Sequence, residues 1–169
     1  MDDSGGGDVT PTKFVAHGQP LLAEGNTMDL LARAPGLWAH LKVYADGGEN
    51  ALHAHGAEDH LFFVLDGSAT FTDGNGIETV VGRYEGMVVP RDALYMFRCS
   101  GEGNLVMIRI GAPADPAHTA WVTHEASGVD YPEAMMIRVD REHRAAPGDD
   151  PANGTGSVRG VPIPDRTFS

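Results

Sequence analysis

The stretch from Gly47 to Gly67 reads GGENALHAHGAEDHLFFVLDG, and the rest of the chain is interpreted around its three histidines. His53 and His55 are separated by one residue, so on an extended strand both imidazoles point to the same side. Four residues separate His55 from His60, which is enough for a hairpin to return His60 to the side of the pair. Imidazoles that converge from neighbouring strands form a facial metal site with open positions opposite. We therefore predict that His53, His55 and His60 bind one divalent ion.

A metal-free cluster of these histidines is the less favourable alternative. Packed imidazoles repel one another when protonated and keep unsatisfied nitrogens when buried, and a bound ion removes both costs. Without an ion, the cluster would be a binding pocket whose metal site has decayed. The other five histidines are interpreted as ordinary half-buried polar residues: His17, His40, His118, His124 and His143.

Two carboxylates close to His60, Glu58 and Asp59, are rival ligands. With His60 facing inward on its strand, Asp59 faces away by the period-two alternation of strand side chains. Glu58 is assigned to the connecting loop. Both carboxylates are therefore predicted to lie in solvent at the tip of the hairpin.

The spacing G-x5-H-x-H-x4-H-x6-G, read from Gly47 to Gly67, resembles the first motif of the cupin superfamily. That motif usually carries Glu where this chain has His60. The run EGMVVPRDALYMFRC at 85–99 resembles the second cupin motif, with Gly86 and Pro90 in the expected places. The resemblance covers roughly residues 35–112, the span of a single cupin core, and implies one metal-binding cupin domain.

The second motif departs from the cupin pattern at three positions. Tyr95 stands where the family supplies its last histidine, Asp92 replaces the usual glycine of the turn, and Cys99 occupies a position often held by Asn. Tyr95 is predicted to be catalytic, as a hydrogen-bond donor or proton-transfer group. A phenolate ligand and a plain core tyrosine are the alternatives.

Short strand patterns separated by turns predict an all-β fold, and the resemblance makes it a cupin jelly-roll β-sandwich or small barrel. Residues 26–34 are predicted to form a short N-terminal helix, with Asn26 or Thr27 as its N-cap. The predicted organisation is a disordered tail at 1–12, a single cupin domain at 13–144, and an extended Gly/Pro/Asp-rich C-terminal arm at 145–169.

An apolar interior is predicted next to the histidines. By period-two parity Tyr95, Phe97 and Cys99 face one side of their strand, and Met96 and Arg98 face the other. Such an interior suits a small substrate and excludes water, although its residues are also those of an ordinary core. The predicted substrate pocket consists of Phe62, Val64, Met87, Val89, Phe97, Cys99 and Met107.

Composition excludes several classes of partner. The formal net charge of −12 opposes binding to nucleic acid and to anionic membranes, and no apolar run approaches membrane-spanning length. A single cysteine, Cys99, cannot form an internal disulfide. We expect a cytoplasmic homodimer whose partner is a small-molecule substrate.

Three neutral histidine ligands would leave a divalent ion its full charge, which favours an anionic, chelating ligand. The resemblance then implies a non-haem Fe(II) dioxygenase acting on a diketone or enolate, an aromatic compound, or a hydroxy or keto acid. A non-redox cupin is the alternative, an isomerase, lyase or polyketide cyclase in which Zn, Ni or Mn is a Lewis acid; Cu is a further possible ion. A non-catalytic ligand-binding cupin is the third possibility.

Overall fold

The computed structural model describes residues 11, 13–34, 36–46, 48, 52–114, 157–158 and 161–169. Within these ranges all regular structure is β-strand. The strands are β1 (Pro20–Glu24), β2 (Asn26–Ala34), β3 (Leu37–Tyr44), β4 (Glu58–Asp66), β5 (Ala69–Asp73), β6 (Glu78–Val81), β7 (Gly86–Val89), β8 (Tyr95–Cys99), β9 (Leu105–Pro113), β10 (Ser157–Val158) and β11 (Val161–Thr167).

The main strands form two sheets that face each other. The larger sheet has the order β10-β2-β3-β9-β4-β7, and the smaller sheet has the order β6-β5-β8. Every neighbouring pair is antiparallel, and strands distant in sequence lie side by side, such as β3 and β9. The prediction of an all-β jelly-roll sandwich is therefore confirmed.

The space between the sheets is filled by apolar side chains that alternate with outward-facing ones. Phe62 of β4 lies 5.3 Å from Phe71 of β5, and Phe71 lies 5.2 Å from Phe97 of β8, measured between ring centroids. All seven residues of the predicted substrate pocket belong to this inner core or pack against it. Their contact with a substrate stays a prediction.

A second apolar cluster lies on the outer face of the larger sheet. It is built from Leu41 and Val43 of β3 and Val106 of β9, and Leu22 of β1 joins it. Strand β11 pairs with β1, and Phe168 after it packs against this outer cluster. Strand β11 at the C-terminal end of the chain thus helps cover the outer face of the sheet.

The predicted helix at 26–34 is wrong, because these residues form β2. The capping signal at Asn26 is local, and pairing with β3 along nearly the whole strand outweighs it. Thr27 is completely buried in this arrangement. The Asn26 side chain, instead of capping a helix, donates a hydrogen bond from Nδ2 to the carbonyl of Gly48 at 3.2 Å.

Several sequence predictions fall outside the described residues. These are the N-terminal tail at 1–12 except Pro11, most of the C-terminal arm, and the interpretation of His118, His124 and His143. Across the ranges that the structure describes, no helix has the length and apolar character needed to span a membrane.

Candidate metal centre

The two sheets bring the predicted histidines together from opposite sides. His53 pairs through its backbone with Tyr95 of β8, with both N–H to O=C distances at 2.9 Å. His60 lies on β4 in the larger sheet, opposite Gly111 and Val89. The predicted hairpin is therefore wrong: the chain crosses from one sheet to the other between His53 and His60, and the imidazoles meet across the interior.

The three histidine rings lie in a row in the interior, in the order His53, His55, His60. Ring centroids are 4.9 Å apart for His53 and His55, and 4.3 Å apart for His55 and His60. His60 is buried, and His53 and His55 are partly buried. The convergence of these side chains agrees with the sequence, while their joint binding of one ion stays a prediction.

Glu58 belongs to the site, and its assignment to a solvated loop is wrong. It is the first residue of β4, it is only 4% exposed, and it faces inward with His60. Nε2 of His60 donates to Oε1 of Glu58 at 2.7 Å, and Nδ1 of His55 lies 3.8 Å from the same oxygen. His55, Glu58 and His60 form a cluster whose possible ligand atoms all lie within 4.8 Å of one another. Asp59 faces outward as predicted, where its carboxylate accepts a hydrogen bond from Arg91.

The alternation of side chains along β4 indicates from the sequence that Glu58 faces inward. Glu58, His60 and Phe62 are spaced by two residues, so all three share a face once the strand begins at Glu58. The acidic step Glu58-Asp59 resembles a turn, which favours a later start for the strand in the sequence.

Trp38 on β3 reaches across β9 to hold Glu58 in place. Its indole Nε1 donates to Oε2 of Glu58 at 3.0 Å, and both groups are buried. Trp38 lies opposite Gly111 of β9, and a Cβ at Gly111 would collide with the indole ring. Glycine at this position therefore allows the indole to lie against β9 and reach the carboxylate.

Arg109 was not selected from the sequence, yet its guanidinium lies among the ligand groups. It shares the inner face of β9 with Met107, two residues earlier, and it is 9% exposed. Nη2 of Arg109 lies 3.0 Å from Nε2 of His60, 3.4 Å from Nε2 of His55 and 3.9 Å from Oε1 of Glu58. Met107 is predicted to face the interior, and Arg109, two residues further along the same strand, therefore faces it too. This alternation is the sequence signal that identifies Arg109.

Burial and nearby positive charge determine the protonation state of His60. Desolvation lowers the pKa of His60 well below its ordinary value, and Arg109 lowers it further. The ring is therefore neutral. In the tautomer whose Nε2 proton faces the Glu58 carboxylate, Nδ1 is an acceptor, and Nη2 of Arg109 lies 3.3 Å from Nδ1.

Tyr95 completes the interior from the smaller sheet. Its hydroxyl lies 3.5 Å from Nδ1 of His60, and burial raises the pKa of Tyr95 to about 12. The phenol is therefore neutral near pH 7 and donates towards His60. A cleft of ≈ 250 Å³ reaches Tyr95 and is lined partly by Met87 and Val89 of the predicted pocket.

Asp92 takes the left-handed backbone conformation that the second cupin motif normally gives to glycine, with φ of 66°. Its amide donates to the carbonyl of His55 at 2.9 Å, so this turn of the second motif is joined to the first. Both motifs line one interior between the sheets, on strands in jelly-roll order. The chain has the cupin fold.

Comparison with solved structures finds cupins. The chain is similar to KdgF from Halomonas sp., at 19% identity and a TM-score of 0.49, over 53% of this chain and 81% of that one. It is similar to the cupin domain of Cnp3 from Schizosaccharomyces pombe, at 18% identity and a TM-score of 0.49, over 54% and 67%. It is also similar to an RmlC-like cupin from Shewanella frigidimarina, at 21% identity and a TM-score of 0.47, over 54% and 79%. No family model matches the chain, and no curated protein matches it.

The chemistry of the donor set at this site fits a divalent ion. His55, Glu58 and His60 offer two imidazoles and a carboxylate, a combination used by non-haem iron, zinc and manganese sites. Nη2 of Arg109 lies within 3.9 Å of all three groups. Because a guanidinium and a divalent ion repel each other, an ion bound by these groups would displace Nη2 from its present position.

Proposed function

We propose that this cupin is a metal-dependent enzyme of the non-haem Fe(II) dioxygenase type, acting on a small anionic chelating substrate. The observation that carries the proposal is the burial of Glu58 beside His55 and His60. Two histidines and one carboxylate with open positions are typical of non-haem Fe(II) oxygenases. An Fe(II) ion bound there would supply the redox chemistry that activates dioxygen. Zn, Ni, Mn and Cu are alternative ions.

Positive charge in the interior supports an anionic substrate. The charge comes from Arg109 and Lys42, whereas the sequence suggested the full charge of an ion held by three neutral histidines. Glu58 as a ligand would cancel half the charge of a divalent ion. Arg109 restores one positive charge at the site, and Lys42 lies close enough to lower the pKa of His60. With His60 neutral, the side chains and the ion together retain an excess of positive charge that an anionic substrate would balance.

A non-redox cupin is the second candidate, as an isomerase, lyase or polyketide cyclase. Its support is the Tyr95 hydroxyl, 3.5 Å from Nδ1 of His60, which burial keeps neutral by raising the pKa of Tyr95 to about 12, so that it can donate a hydrogen bond rather than bind an ion as a phenolate. In this alternative Tyr95 would donate a proton to the substrate, and an ion held by His55, Glu58 and His60 would supply Lewis-acid chemistry. Tyr95 is suited to the same donor role in the dioxygenase.

Metal analysis and oxygen uptake test the proposal. The purified protein would be loaded separately with Fe(II) and Zn(II) and assayed with α-keto acids, α-hydroxy acids, β-diketones and catechols. Oxygen consumption that requires Fe(II) supports the dioxygenase, and turnover with Zn(II) under anaerobic conditions supports the second candidate. A protein that takes up neither ion would exclude both.

The remaining features of the proposal concern the cellular form. We propose a cytoplasmic homodimer. We also propose that it binds neither nucleic acid nor membrane, because the net charge of −12 opposes both. Analytical ultracentrifugation of the full chain measures the oligomeric state directly, and a monomer at micromolar concentration would exclude the dimer.

A further inference from the structure

We propose that Arg109 is the residue that determines substrate specificity, and that it binds a carboxylate group of the substrate. This deepens the proposed function, because it selects carboxylic acids from the anions that could chelate the ion. It rests on the proposed function only for the position of the substrate beside the metal. The affinity of Arg109 for a carboxylate is a property of the protein without the ion as well.

The guanidinium of Arg109 has an unused donor in the interior. Its Nε–H is buried and has no hydrogen-bond partner among the described residues. A buried donor without an acceptor costs about 1–3 kcal/mol, and more when the group is charged. An acceptor on a bound ligand would satisfy this donor.

The charge of Arg109 is also incompletely balanced by the protein. Its nearest carboxylate oxygen in this cluster, Oε1 of Glu58, is 3.9 Å from Nη2. That carboxylate already accepts hydrogen bonds from His60 and Trp38. Because His60 and His55 supply no negative charge, a buried guanidinium in this setting favours an additional anion.

Lys42 adds positive charge on the same inner face. His40 of β3 lies opposite Arg109, and Lys42, two residues further along β3, lies opposite Met107. Lys42 is therefore a diagonal neighbour of Arg109 on one face of the sheet, and its ammonium lies 5.0 Å from the ring centroid of Tyr44. Both positive side chains are turned towards the space between the sheets.

The geometry of the guanidinium favours a carboxylate over an enolate or a catecholate. Nε–H and one Nη–H of an arginine point in parallel, and they match the two oxygens of a carboxylate in a bidentate pair. On the edge of Arg109 that carries the unpartnered Nε, the second donor is Nη2, which lies 3.0 Å from Nε2 of His60, so a substrate carboxylate would take Nη2 from the imidazole as it pairs with Nε. The guanidinium carbon lies 5.0 Å from the centroid of the Trp38 ring, which supports its plane from one side.

The test measures ligand binding rather than turnover. Isothermal titration with pyruvate, and with its neutral methyl ester as the matched probe, would be performed on metal-free and on Zn(II)-loaded full-length protein. Arg109→Gln removes both the positive charge and the pair of parallel N–H donors. Arg109→Lys keeps the charge but not the paired donors. Arg98→Gln removes an exposed arginine and is the control. Zinc content would be measured for each protein.

The expected result is that pyruvate binds the parent protein at least ~10-fold more tightly than its methyl ester, with or without Zn(II). Arg109→Gln should remove this preference, Arg109→Lys should restore it partly, and Arg98→Gln should leave it unchanged. Equal binding of acid and ester by the parent would overturn the proposal, even if no Arg109 variant folds. Zn(II)-loaded Arg109→Gln that still prefers the acid would also overturn it. A parent protein that takes up no ion, but still shows a preference for the acid that depends on Arg109, would refute the metal-dependent function and leave the role of Arg109 supported.

Discussion

At the scale of single residues, Glu58 decides what kind of centre the interior can form. Its burial at 4% exposure and its 2.7 Å contact with His60 add a carboxylate to the possible ligands beside the histidines. The neighbouring Asp59 shows the contrast, because it pairs with Arg91 on the outer surface at 3.1 Å. One step along a strand thus separates a possible ligand from a surface ion pair.

Comparison of Glu58→Gln with His53→Ala identifies the third ligand. We expect Glu58→Gln to lose more metal, because the carboxylate contacts both His55 and His60 while His53 is outside that cluster. His55→Ala and His60→Ala should each lose the ion, and Asp59→Asn is the matched control. Zinc titration monitored by competition with a chromophoric chelator measures the affinities. Greater loss with His53→Ala would return the site to the three histidines of the sequence analysis.

Tyr95→Phe tests the donor role. The variant keeps the ring, which packs 4.5 Å from His53 between centroids, and removes only the hydroxyl. Metal content should persist, since a phenol with a raised pKa is a poor ligand, while turnover should fall by ~10²–10⁴-fold if Tyr95 moves a proton. Loss of metal, or loss of a phenolate charge-transfer band in the Fe(III) form, would assign Tyr95 as a ligand instead.

At the scale of strands, neighbouring elements position the site through cross-strand pairs. The pair of Trp38 on β3 and Gly111 on β9 places the indole against β9, where it reaches Glu58 on β4. Three adjacent strands are therefore needed to hold one carboxylate.

Gly111→Ala and Trp38→Phe test this support in different ways. Gly111→Ala should displace the indole and lower the free energy of unfolding by about 1–3 kcal/mol, as overpacking does. Trp38→Phe keeps an aromatic ring but removes the donor to Glu58, so metal affinity should fall, and the unpaired buried carboxylate oxygen should lower the free energy of unfolding by about 1–3 kcal/mol. Urea unfolding and metal titration of both variants measure these effects. Metal affinity unchanged in Trp38→Phe would show that Glu58 is positioned without the indole.

The turn between β5 and β6 predicts a pH dependence of stability. The Asp73 carboxylate accepts hydrogen bonds from the amides of Ile77 and Asn75, and these bonds, that from Ile77 most, hold the pKa of Asp73 below its ordinary value. A lowered pKa contributes stability that is present above the unfolded value of about 3.9 and is lost as pH falls through the folded value. Asp73→Asn should therefore lose less stability than the parent between pH 5 and pH 2, relative to each protein at pH 7, as urea unfolding would measure. Parallel curves would show that Asp73 does not contribute.

At the scale of the whole molecule, two apolar layers enclose the larger sheet. The inner layer lies between the sheets, and the outer layer includes Leu22, Val106 and Phe168. The ends of the described chain meet on this outer side, where β11 pairs with β1 and the amide of Phe168 donates to the carbonyl of Gln19 at 2.8 Å. The C-terminal strand is therefore part of the folded structure.

Removal of residues 157–169 should destabilise the protein while sparing the site. The truncation uncovers the outer apolar layer and removes the partners of β1, so we expect the free energy of unfolding to fall by about 2 kcal/mol or more. Metal affinity should stay unchanged, because the possible ligands lie on the opposite face of the sheet. Phe168→Ala is the milder companion variant. An unchanged melting temperature after truncation would contradict this role for β11.

The sequence by itself determined most of the fold. Alternating apolar residues in β3, β4, β8 and β9, together with turn residues between them, predicted an antiparallel sandwich, because these signals are local to each strand. The spacing of His53, His55 and His60 likewise predicted their convergence. The helix at 26–34 failed because its capping signal was local, while the pairing of β2 with β3 that overrode it was not.

Only the tertiary structure decided the composition of the site. Trp38, Glu58 and Arg109 come from strands far apart in sequence, and they meet because β9 lies between β3 and β4 in the larger sheet. Strand alternation predicts that each of these side chains lies on an inner face. It does not predict which strands are neighbours, or which inner residues lie at the same level on adjacent strands. The assembly of a carboxylate, a guanidinium and an indole around His60 is therefore a consequence of sheet order and register.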